Sequence, residues 1–140
     1  MKYLLVCLMA LTLISCKELE VEKLQYETVT MMGKTTLAVT KDKVVVDFNG
    51  RGEPTHFERD TKDSEWAALI MGMKDVKLDE VNSLVAPSEK RATDAAPFAK
   101  MLFVTPDSTY VSASFDHKNP NAMLMPLMDE ILKIQAENKK

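Results

Sequence analysis

Glycine, cysteine and histidine are scarce in this 140-residue chain, with 4, 2 and 2 copies, and each scarcity removes a class of function. The glycines, at 33, 50, 52 and 72, build no loop ahead of a helix to cradle a phosphate, so nucleotide binding has no basis. His56 and His117 stand far apart in sequence, whereas a zinc centre draws three or four His, Cys or carboxylate ligands together. Basic residues are not in excess either: 18 Lys and Arg against 21 Asp and Glu leave a net charge of −3, without the positive footprint that DNA or RNA demands. No G-x-S-x-G elbow presents a serine nucleophile. No cofactor is implied.

An apolar run of about 20 residues, the length a membrane-spanning helix needs, is also missing. What stands at the amino terminus is shorter: Lys2, then an uncharged apolar run from Leu4 to Leu11, then the dense charges of Lys17, Glu18, Glu20, Glu22 and Lys23. A positive start and an apolar segment of roughly 7 to 15 residues are the layout of a secretory signal peptide.

At the junction, Leu13, Ile14, Ser15 and Cys16 resemble the lipobox of bacterial lipoproteins, with Ile14 and Ser15 as common variants at their positions. The resemblance covers residues 1 to 16. It implies cleavage after Ser15, a diacylglyceryl group on Cys16 and acylation of the new amino terminus. Three chains on one residue suffice for stable anchoring, since each buried methylene adds about 0.8 kcal/mol and one chain alone binds only marginally. Lys17 in place of an aspartate behind the cysteine implies the outer membrane. Lys17, Glu18 and Glu20 resemble the acidic signals of surface-displayed lipoproteins and equally suit a solvated tether, so the periplasmic face and the cell surface both stay open. With Cys7 removed and Cys16 acylated, the mature body would have no thiol for a disulfide, a nucleophile or a thiolate metal site.

The expected organisation is a signal peptide over 1–15, acylated Cys16 with a charged tether over 16–24, and a single domain over 25–140. An apolar share of 46% with 28% charged residues suits a folded body. Residues 25–32, 35–40, 43–48 and 55–59 read as strands, with turns at Gly33–Lys34, Lys41–Asp42 and Asn49–Gly52. Trp66, Leu69, Ile70 and Met73 then fall at i, i+3, i+4 and i+7, one apolar face of a helix that Thr61 or Asp63 is placed to cap and Gly72 weakens. After a helical turn and a long loop, residues 100–105 and 108–115 pair across Pro106 and Asp107, with Val111, Ala113 and Phe115 on the apolar side of the second strand. Leu124, Leu127, Met128, Ile131, Leu132 and Ile134 form the last helix, which Pro126 must either start or kink. The fold class is therefore α+β: an antiparallel sheet of about six strands with two amphipathic helices packed on one face.

Polar residues gather without helical or strand periodicity in residues 86–98 and 114–120. The Ala-Pro-Ser start, Arg91, Asp94 with Ala95, and Phe115-Asp116-His117 ahead of Pro120 resemble small envelope lipoproteins to which no activity attaches, so no catalytic residue carries over. Two loops flanking one hairpin can bring Arg91, Asp94, Asp116 and His117 into a binding patch at one end of the sheet; the alternative is that Asp94 and Asp116 simply cap or brace turns. The preferred reading is a non-enzymatic outer-membrane lipoprotein whose partners are membrane lipid through Cys16 and an envelope protein or glycan. Two others remain: a small hydrolase or metal-dependent enzyme using Ser112 or Ser114 with Asp116 and His117, and a copper carrier using Met123, Met125 and Met128, whose thioethers suit Cu(I) but equally fill core gaps.

Overall fold

The computed structural model describes residues 20–138. The expected signal peptide over 1–15 and Cys16 lie outside the described residues. Four strands follow one another in a meander, β1 (Lys23–Thr30), β2 (Gly33–Thr40), β3 (Lys43–Gly50) and β4 (Thr55–Asp60). Helix α1 (Asp63–Met73) leads through 3-10 turns at Leu78–Ser83 and Lys90–Thr93 to β5 (Phe98–Val104), β6 (Thr109–Val111) and β7 (Phe115–Asp116). A 3-10 turn at Ala122–Leu124 opens into α2 (Met125–Glu137). The sheet is antiparallel, in the order β4-β3-β2-β1-β5-β6, with β7 on the same edge of β5 as β6. This is the α+β architecture expected from the sequence.

The folded body begins earlier than the tether was expected to end. Lys23 and Leu24 already pair with Thr40 and Val39 in β2, Val21 is buried, and the Glu22 amide donates to the Val104 carbonyl. The reason is the alternation of β1, where Leu24 and Tyr26 both reach the core. The first turn also moves: Met31 and Met32 form it, and Gly33, with φ +147°, is the first residue of β2, opposite both Thr30 and Gly50. A side chain at Gly33 would run into the backbone of Asn49 and Gly50. The glycine thus marks a close approach of two strands, and not the turn itself.

One face of the sheet carries the core. Leu24, Leu37, Val39, Val44, Met101 and Phe103 project from it toward Leu69 and Met73 of α1 and Leu127, Met128, Ile131 and Ile134 of α2. Each such side chain, fully buried, stabilises the fold by about 1.5–3 kcal/mol. Helix α1 has no side-chain N-cap at Thr61 or Asp63. Instead Glu65 reaches back to accept from the Lys62 amide at 2.9 Å, and Arg59 of β4 grips the same carboxylate through two parallel bonds of 2.7 and 2.8 Å. Thr61 serves the sheet: its hydroxyl donates to the Thr40 carbonyl. Pro126 lies in the first turn of α2, where its missing N–H costs no helical hydrogen bond, so it starts the helix and does not kink it.

The β5 edge departs from simple alternation. Leu102 to Val104 pair with β6 in one register, and Phe98 and Ala99 pair with β7 in a register shifted by one residue. The extra residue is absorbed between them: Ser112 donates its amide to the Met101 carbonyl, and its hydroxyl accepts from the Met101 amide, both at 2.9 Å. This β-bulge reverses the expected faces. Tyr110 packs against the core and Val111 is exposed, whereas beyond the bulge Phe115 is buried.

Candidate functional site at the far end of the sheet

The chain enters the described domain at one end of the sheet, beside the Lys41–Asp42 turn and the start of α1. The Met31–Met32 turn, the loop over residues 86–97 and His117 all lie at the opposite end, as the pairing of Val29 with Phe98 and the His117 amide bond to the Pro97 carbonyl require.

Arg91 and Asp116 do meet there. Asp116 is buried at 4% exposure. Its Oδ2 accepts from the Ser88 hydroxyl at 2.6 Å and the Lys90 amide at 2.8 Å, and its Oδ1 accepts from the Arg91 amide at 2.9 Å and the Arg91 guanidinium at 3.1 Å. Burial opposes its charge, but these donors outweigh burial and hold its carboxyl well below the usual range. With four donors in place, the carboxylate fixes the loop. It braces residues 88–91, not the turn before α2, where Asn121 accepts from the Met123 amide. Arg91 is equally engaged, donating also to Ser114 Oγ and the Ser88 carbonyl.

Asp94 occupies the left-handed conformation, φ +56°, that closes the second 3-10 turn, and the Ala95 amide returns to the Lys90 carbonyl. Short polar side chains tolerate that backbone best. Asp94 and Arg91 border an apolar groove of about 610 Å³ whose walls include Val29, Met31, Met32 and Phe98. Met31 is 82% exposed and Met32 56%.

His117 follows Asp116 in sequence but serves a different cleft. The Tyr26 hydroxyl lies 2.7 Å from the His117 carbonyl and 3.1 Å from its Nδ1. The carbonyl can only accept, so the single phenolic proton goes to it and Nδ1 must donate to the Tyr26 oxygen. That assigns the Nδ1–H tautomer and leaves Nε2 as the free ring nitrogen. Burial, reinforced by Lys118, lowers the His117 pKa, and burial raises that of Tyr26. The expected four-residue patch is thus two neighbouring features: Arg91, Asp94 and Asp116 on one side, His117 on the other.

No family model, curated protein or solved structure matches this chain; the site's own residues carry the functional reading. Among the described residues, no three His, Cys, Asp or Glu side chains gather as a metal site. His56 pairs with Asp47 on the open face of the sheet at 2.6 Å, across from the face that His117 serves. Neither candidate serine bonds a histidine: Ser112 is held by Met101 and Ala113, and Ser114 accepts from Arg91. Met128 is buried in the core while Met123 stands in solvent at 45% exposure.

Tyr26 and Asn121 do not stand out in the sequence as site residues, and Ser88 stands out only as part of the Ala-Pro-Ser start of its loop. Asn121, directly ahead of the apolar residues of the last helix, carried a readable capping signal. Tyr26 and Ser88 carried none, because their partners lie 91 and 28 residues away.

Proposed function

We propose that this chain is a membrane-anchored envelope lipoprotein, acylated at Cys16 and acting as a non-enzymatic binding module that presents the far end of its sheet to a partner protein. The observation that carries this reading is the polarity of the domain. Strand β1 starts where the chain enters and runs eight residues to Thr30, about 24 Å along the strand. The exposed apolar side chains Val29, Met31, Met32 and Phe98 gather where it ends. An anchor on Cys16 would leave residues 17 to 20 as a leash of at most about 14 Å, with the groove on the side away from the membrane.

Clustered exposed apolar residues mark interaction surfaces, and methionine adapts to irregular partner surfaces. Such lining favours apolar protein side chains over the hydroxyls of a glycan. The bonding of Asp116, Ser112 and Ser114 to structural partners favours a binder over a hydrolase, and the burial of Met128 favours packing over copper transport. The Lys17 position favours the outer membrane.

Photo-crosslinkers placed at Met31 and at Asp42, in acylated protein within its native envelope, test the reading. Discrete protein adducts are expected from position 31 and not from position 42, and Met32→Glu should abolish them. Equal labelling from both positions, or adducts that survive Met32→Glu, would contradict it.

A further inference from the structure

The helices do not cover their face of the sheet to its far end. Helix α1 lies over the entry end, and beyond α2 a cleft of about 410 Å³ remains. Its apolar floor is Val46 and Phe57, the latter 42% exposed. Its polar lining is Thr28 and Thr35 from the strands, Gln135 and Asn138 from the end of α2, and His117 with Lys118.

Two features of that lining point the same way. The first is charge: in a chain with three more acids than bases, no carboxylate lines this cleft, and Lys118, exposed at its rim, makes no ion pair among the described residues. The second is an orphaned donor. Asn138 Oδ1 accepts from Arg59 Nε at 2.7 Å, which fixes which way the amide faces. Its Nδ2 is buried and has no partner among the described residues. A buried donor left unpaired costs about 1–3 kcal/mol, and native folds carry few of them without a reason.

We infer that this cleft binds a small organic carboxylate with a flat or apolar body, the body lying on Phe57 and Val46 and the carboxylate meeting Lys118 and the Asn138 amide. Convergent polar groups around an apolar floor are the common build of small-molecule sites. A carboxylate accepts from both donors at once and compensates the lone ammonium, whereas a neutral sugar would find no acidic acceptor in the lining. The cleft takes this class whether or not Cys16 is acylated, so its occupancy and the anchoring are independent questions.

Titration of the ¹⁵N-labelled protein, residues 16–140 with Cys16→Ser, by 3-phenylpropionate tests it. Shifts are expected at Phe57, Thr28 and the Asn138 side-chain amide, saturating with a Kd below about 1 mM. The neutral 3-phenylpropionamide should bind at least about tenfold more weakly, as should Lys118→Ala toward the acid. Asn138→Asp keeps the acceptor for Arg59 while replacing the free donor by a negative oxygen, and should abolish binding. Equal binding of acid and amide, the same shifts from glucose, or no shift at about 10 mM acid would overturn the inference.

Discussion

The Tyr26 hydroxyl donates to the carbonyl of His117 at 2.7 Å, joining the middle of β1 to a residue 91 positions later. That residue holds a positive φ of 32°, which a non-glycine side chain adopts only when its surroundings fix it. The Tyr26 ring also stacks at 6.4 Å on Phe115, so Tyr26→Phe keeps the packing and removes only the hydroxyl. Loss of about 1–3 kcal/mol is expected from the unpaired carbonyl, read as a lower urea midpoint with an unchanged m-value.

Gly72 of α1 sits against the backbone of α2. A Cβ there would lie 3.2 Å from Leu127 Cα and 3.3 Å from its amide nitrogen. Alanine gains about 1 kcal/mol of helix propensity over glycine, but overpacking costs about 1–3 kcal/mol when the neighbour is unable to yield, and backbone yields least. Gly72→Ala should therefore lower stability by about 1 kcal/mol and Gly72→Val by more, both measurable by thermal unfolding.

Ser112 replaces a ladder bond with its hydroxyl at the bulge. Ser112→Ala leaves the buried Met101 amide without its acceptor and should cost about 1–3 kcal/mol. Ser114→Ala, whose hydroxyl serves the less buried Arg91, should cost less. Denaturant titration of the two variants side by side checks the order.

Stability should fall in two stages as the solution is acidified. His117 has a lowered folded pKa, so the unfolded chain takes up its proton first. Its contribution is full above about pH 6.5 and declines as pH falls toward the lowered value. Asp116 and Glu65 also have lowered values; what they contribute is full above about pH 4 and is lost below it. Thermal midpoints across pH 3 to 8 should show both stages, and His117→Asn, which suits the positive φ, should remove only the first.

Where local pattern governs, the sequence is a good guide. The Lys41–Asp42 hairpin and the face through Leu69 and Met73 follow from neighbours within a few residues, while for Pro126 the sequence leaves a start or a kink and the structure shows the start. What escapes it is fixed from a distance. The bulge at Ser112 depends on Met101 across the sheet, and it turns Tyr110 inward against the alternation of its own strand. Ile70 has the right helical spacing but stays 43% exposed, since α1 lies at the end of the sheet where little covers its outer side. At the candidate site, the meeting of Arg91 with Asp116 was readable from two loops flanking one hairpin. The separation of His117 from them was not, because it rests on Tyr26.

Intact-mass measurement of the protein extracted from bacterial membranes bears most directly on the anchored-module reading. A chain beginning at Cys16 and heavier than residues 16–140 by three acyl chains and a glycerol unit is expected, with that increment lost in Cys16→Ser. A full-length chain with an unmodified Cys16 would contradict it.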